Sequence, residues 1–183
     1  AWVRFLQLTS TFKQILPPDF PFTRGIFPAV LQRKLTSMSS DIPYDTDNIF
    51  KKILAGAVPS YKIFETEHVY AFLDAFPTAR GHCLLIPKAE GYATMMDLPE
   101  DVAANVFREL PRLARAVKEA TGADGVSVIQ NSGSAAGQVV FHVHIHVIPR
   151  FEGDETVKLA EAKNGMIQKE DALALQAAIQ GKL

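Results

Sequence analysis

The chain has 183 residues, a formal net charge of −1 and a single cysteine, Cys83. That length suits one domain with an adequate core, the balanced charge gives no nucleic-acid footprint, and one thiol excludes an internal disulfide or a cysteine-rich zinc module. No apolar run approaches the roughly 20 residues needed to span a bilayer, so a soluble chain is expected, with neither nucleic acid nor membrane as partner.

Residues 1–40 differ from the rest. Arg4, Lys13, Arg24, Arg33 and Lys34 are opposed only by Asp19, and Pro17, Pro18, Pro21 and Pro28 interrupt any long helix. Such a basic, hydroxyl-rich leader has the character of an organellar transit peptide, of a disordered extension, or of sequence upstream of a start at Met38. The expected location is cytoplasmic, or mitochondrial if the leader is genuine. The folded domain is assigned to 45–150 and a helical extension to 151–183.

In chain order, Thr46 or Asp47 is expected to cap a short helix with Ile49, Phe50, Ile53 and Leu54 on one face and Gly56 at its end. Two β-rich runs, Val58–Glu65 and His68–Asp74, flank Thr66-Glu67 as a hairpin, and Asp74 stands where it could cap the turn before Pro77. Gly81–Pro87 is nearly all apolar and reads as a central strand that begins with His82. Asp97-Leu98-Pro99-Glu100 opens a long helix whose stripe is Val102, Val106, Leu110, Leu113 and Val117, with Pro111 inside it and Gly122 after it. A fourth strand, Gly125–Gln130, leads into Asn131–Gln138, whose small residues suit either a flexible loop or one that lets backbone N–H groups approach an anion. Glu155–Lys163 and Glu170–Gln180 read as peripheral helices, the second carrying Leu173, Leu175 and Ile179.

Between them lies Phe141–Arg150, where three of the five histidines fall within five residues. Alternation with Val143, Ile145 and Val147 predicts a strand that places His142, His144 and His146 on one face, with Pro149 ending the ladder. Three readings compete for that face: a solvated polar strand, a metal site, or a nucleophilic imidazole between two that position its target. A single ion could be shared by two such side chains, but same-face residues lie about 7 Å apart along a strand, and a tetrahedral site needs a further ligand from elsewhere. Neutral imidazole is a nucleophile near neutral pH.

The pattern His142-Val143-His144-Ile145-His146-Val147 resembles the signature of the histidine triad (HIT) nucleotide-binding superfamily. The resemblance covers about Asp45–Arg150, including Asp74–Thr78, Gly81–Lys88 and Gln130–Gly133, and is closer to the Hint-like branch than to the Fhit branch. It implies an α+β fold: a five-stranded antiparallel meander, a long central helix, and short N- and C-terminal helices, assembled as a homodimer. It further implies that Ile49, Phe50 and Ile53 wall a purine pocket and that Asp74 binds the ribose. Asn131 and Gln138 would bond the nucleotide and its phosphate, with N–H groups around Gly137 adding stabilisation. His144 would attack the α-phosphorus, His142 and His82 would orient phosphate oxygens, and His146 would fix the tautomer of the nucleophile. No metal or other cofactor is needed by this scheme.

The chain departs from the Hint pattern in two places. Val139 stands where a serine hydroxyl commonly meets the phosphate, and Ala89-Glu90-Gly91 replaces a histidine after Ile-Pro-Lys. The implied substrate is a purine nucleoside phosphoramidate, an AMP adduct of a small molecule. A dinucleoside polyphosphate, or a non-catalytic nucleotide-dependent scaffold role, are the alternatives.

Overall fold

The computed structural model describes residues 42–154 and 165–183. The leader read over 1–40 and the helix read over Glu155–Lys163 lie outside the described residues.

Asn48, rather than Thr46 or Asp47, caps the first helix, α1 (Ile49–Leu54). Its side-chain oxygen accepts from the Lys51 N–H at 2.9 Å while its amide donates to the Asp45 carbonyl at 2.6 Å. An aspartate could do only the first of these tasks. The hairpin follows as β1 (Lys62–Glu65) and β2 (Val69–Leu73), with the Thr66 hydroxyl accepting from the N–H groups of His68 and Val69 at the turn. His68 is exposed there.

The third strand, β3 (Cys83–Pro87), is buried at every position. Gly81 before it has φ +96°, and a Cβ there would lie 2.5 Å from Thr121 Cγ2, so only glycine brings this strand start against the helix end. That helix, α2 (Glu100–Thr121), begins after Pro99. Asp97 does not cap it. Its carboxylate instead accepts from the Thr94 N–H and hydroxyl, at 2.8 and 2.9 Å, and closes the preceding turn. Val106, Leu113, Ala116 and Val117 form the buried stripe, and the helix runs through Pro111 on its exposed side.

Two more strands, β4 (Gly125–Ile129) and β5 (Ile145–Arg150), complete an all-antiparallel sheet in the order β1-β2-β3-β5-β4. The order departs from a simple meander. The helix α2 carries the chain across one face and sets β4 down at the far edge, and β5 then returns into the gap beside β3. The histidine-bearing strand is therefore interior.

The ladder of β5 begins at Ile145, not Phe141, because the Val143 N–H bonds to the Tyr92 carbonyl at 3.0 Å instead of to a strand. Pro149 does not end the strand; it lies inside it opposite Val126. Pairing with β3 extends only to Val147, so the missing donor falls where β5 has a neighbour on one side alone.

One face of the sheet presents Val69, Ala71, Leu73, Cys83, Leu85, Ile145 and Val147 to α2 and to α3 (Lys169–Gln180). This last helix is less peripheral than its charge suggests: Ala172, Leu175 and Ile179 enter the main core, whereas Leu173 is 48% exposed. Gln176 and Gln180 donate from it to the Lys62 carbonyl, and Gln180 also to that of Ile63, along the outer edge of β1. The opposite face carries Phe72, Leu84 and Ile86 beneath Phe50 of α1. His146 pairs with Leu84 across the β3–β5 ladder.

Candidate active site

Although the triad straddles the start of β5, its alternation survives: Val143, Ile145 and Val147 are buried, and His142 and His144 turn toward Phe50. The Phe50 ring lies edge-on to His144 at 5.0 Å and to His142 at 6.1 Å between centroids, and His144 meets His146 at 5.0 Å. Both His142 and His144 are themselves buried, because α1 roofs them.

Fixed partners set the protons. His144 Nδ1 lies 2.7 Å from the His142 carbonyl, which can only accept, so Nδ1 carries the proton and Nε2 keeps its lone pair. The tautomer of His144 is thus set by the backbone of His142 and not by His146. His142 Nε2 donates to the Pro87 carbonyl at 3.1 Å, leaving Nδ1 to accept from the Tyr44 hydroxyl at 2.9 Å. With both nitrogens occupied, His142 has none to offer a phosphate oxygen.

A second chain of contacts ends at His146. The Thr78 N–H donates to His82 Nδ1 at 3.3 Å, which places the His82 proton on Nε2, 2.9 Å from His146 Nδ1. His146 then carries its own proton on Nε2. The Asp74 carboxylate is 3.6 Å from His82 Nδ1, and its other oxygen accepts from the Phe76 N–H at 2.8 Å. His82, like His142, has both nitrogens engaged within the protein. Asp74, the expected ribose ligand, is only partly buried and adjoins the same loop.

Burial favours the neutral form of all four imidazoles. Desolvation pushes His82 and His146 down to about 3, with the neighbouring His144 adding to the shift, and also lowers His142 and His144. Burial raises the Asp74 carboxyl to about 6 against the opposing Phe76 N–H. The Cys83 thiol is also raised by burial and stays protonated.

The loop residues behave differently from expectation. Gln138 is buried: its amide donates to the carbonyls of Ala93 and Val140 and its oxygen accepts from the Gly133 N–H at 2.7 Å. It braces the loop, with both amide hydrogens donated within the protein. The Gly137 N–H is likewise engaged, by the Ser134 carbonyl at 2.9 Å. Asn131 places its side-chain nitrogen beside Gly137, and Val139 next to the braced glutamine is 82% exposed. Of the pocket walls, Phe50 and Ile53 pack with Phe72, whereas Ile49 is 41% exposed and stands apart from that cluster. Tyr44 and Thr78 escaped the sequence reading because no spacing marks them; their roles come from contacts 98 residues away and across a loop, respectively.

Asp74, His82 and His146 also form a possible metal-binding group, their ligand atoms lying within 4.8 Å of one another. The arrangement is a line: His82 turns opposite nitrogens toward its two neighbours, and one ion takes only one nitrogen from an imidazole.

Three alternating histidines with an aromatic roof make up a histidine triad, and a family model for the HIT domain matches residues 55–153. The chain belongs to the HIT family. It is 44% identical over 115 residues to an adenosine 5'-monophosphoramidase of Saccharomyces cerevisiae, covering 63% of this chain and 70% of the relative. It is 42% identical over 108 residues to an adenylylsulfatase of Arabidopsis thaliana, covering 59% of this chain and 54% of that one. Among solved structures, a Hit-like protein from Bartonella henselae aligns with a TM-score of 0.69 and 35% identity, over 76% of this chain and 99% of its own. Among the described residues, no helix is long and apolar enough to cross a membrane.

Proposed function

We propose that the protein is a purine nucleotide hydrolase that cleaves nucleoside phosphoramidates at the α-phosphate through a nucleotidyl-histidine. The observation that carries this is the 2.7 Å bond from His144 Nδ1 to the His142 carbonyl, which leaves Nε2 as an unprotonated nucleophile. Support also comes from relatives whose names join an adenylyl group to different leaving groups, an amide and a sulfate.

In the first step His144 Nε2 attacks the α-phosphorus and the P–N bond breaks. The phosphate anion of the bound substrate favours an imidazolium at His146, the departing amine takes its Nε2 proton, and a neutral imidazole is left with Nδ1 facing His82. In the second step water gives a proton back to His146 and attacks the phosphorus, releasing the mononucleotide and restoring His144. Phe50 and Ile53 supply an apolar wall for the base, and Asp74, whose carboxylate lies 3.6 Å from His82 Nδ1, is the ligand for the ribose hydroxyls. Brief mixing with adenosine 5'-phosphoramidate should add one AMP to the intact mass of the protein. If no adduct forms while a dinucleoside polyphosphate is consumed, the second substrate class holds; Val139, with no hydroxyl to meet a leaving group, is what favours it. Nucleotide binding with neither substrate consumed would leave the scaffold role.

A homodimer is part of the proposal. The edge strand β4 pairs with β5 on one side only, and its Val128 is 46% exposed, as is Phe107 of α2 at 44%. Joining two β4 edges would extend both sheets and cover these side chains. Light scattering should give twice the chain mass, and Val128→Glu should shift it toward one chain. A wild-type protein of single-chain mass would overturn this part.

A further inference from the structure

We propose that Tyr44 is a positioning residue for the nucleophile, acting on His144 through His142; the inference rests on the nucleotidyl-histidine reading above. Tyr44 precedes α1 and lies outside the matched stretch 55–153, yet its hydroxyl is 2.9 Å from the first triad histidine, with ring centroids 5.7 Å apart.

The argument starts from where the ladder stops. Strand pairing fixes β5 only from Ile145 onward, so the His142 peptide, whose carbonyl holds the proton of His144, receives no orientation from β3 or β4. Three anchors replace the ladder. The Val143 N–H reaches the Tyr92 carbonyl, the His142 Nε2–H reaches the Pro87 carbonyl at 3.1 Å, and Tyr44 donates to His142 Nδ1. Two of the three act through the His142 side chain, and they are complementary: one accepts only and the other supplies a proton, so together they admit one ring orientation and one tautomer. Without the phenol, Nδ1 becomes a buried acceptor with no donor facing it, in a residue 1% exposed. The ring can then flip or turn to find water. Its carbonyl would move with it, and His144 would lose the partner that reserves Nε2 for attack.

Tyr44→Phe keeps the ring contact and removes only the donor. Nitrogen-15 NMR of the imidazoles should show His144 as a pure Nδ1–H tautomer and His142 as a pure Nε2–H tautomer in the wild type. The variant should show mixed tautomers at both, with kcat on the phosphoramidate reduced about tenfold, the weight of one hydrogen bond, and KM within about twofold. Fluorotyrosine at position 44, a stronger donor of the same shape, should move the His142 Nδ1 resonance in a fold that is otherwise unchanged. Unaltered tautomers in Tyr44→Phe, with or without slower turnover, would overturn the proposal and leave Tyr44 a packing residue. Because the NMR measurement needs no substrate, it stands apart from any failure of the hydrolase reading.

Discussion

Replacing His144 by alanine should lower phosphoramidate turnover by about four orders of magnitude or more, the scale seen when a covalent nucleophile is removed, while AMP binding changes little. In the proposed reading binding rests on Phe50 and Ile53, which keep their packing with Phe72 when the edge contact of Phe50 with His144 is lost. His146→Ala should behave differently. It removes the proton donor and leaves the nucleophile, so a loss of about 10²–10⁴-fold is expected. That loss should shrink for the p-nitrophenyl ester of AMP, whose leaving group departs without a proton, whereas the loss in His144→Ala should persist. Equal losses on both substrates for His146→Ala would remove its role as the acid. If His144→Ala retained turnover, or its AMP adduct, the attacking atom would have to lie elsewhere.

Acid should destabilise the fold well before ordinary carboxylates titrate. His82 and His146 have an unfolded-state value of 6.5 and sit near 3 in the folded protein, so between those limits the unfolded chain binds more protons. Stability from these two groups is fully present above about 6.5 and is lost as the pH falls toward 3. The lowered His142 and His144 act in the same direction. Asp74 opposes them: its folded value near 6 exceeds its unfolded 3.8, so the folded protein takes up that proton first as the pH falls. Counting His82 and His146 alone, two protons gained by the unfolded state against one by the folded give a slope of at least about 1.4 kcal/mol per pH unit between roughly 6 and 4. Urea midpoints measured from pH 7 to 4 should fall steadily. Asp74→Asn should steepen the fall and His146→Asn should flatten it. A midpoint independent of pH over that range would mean that the imidazoles are not held neutral.

Local periodicity made much of this fold legible. The Val102–Val117 stripe, the apolar β3 and the alternation around the histidines each follow from one short stretch meeting one neighbouring layer. The family signature likewise pointed to the fold and to the residues that gather at the site. What the sequence did not show is what each imidazole is bonded to. A histidine reads the same whether its nitrogens face solvent or, as in His142, a distant tyrosine and a carbonyl. Gln138 is the same case: a glutamine in a glycine-rich loop suits a ligand, and only the carbonyls of Ala93 and Val140 reveal that it holds the loop together. Helix starts were missed for a related reason. Asp97 and Asp47 are good caps locally, but Thr94 engages the first, and the buried amide of Asn48 does what the second cannot. Strand order was hidden because nothing in β5 itself says which gap α2 will leave open.

The glutamines of α3 bear on how many copies can join. An open sheet ordinarily has two sticky margins, and a protein with both exposed can stack without limit. Here the margin at β1 has the carbonyls of Lys62 and Ile63 already occupied by Gln176 and Gln180. Among the described residues, β4 is the margin left to accept a neighbour. Two copies meeting there about a twofold axis would each use up this margin, and growth would stop at a pair rather than continue into a fibre.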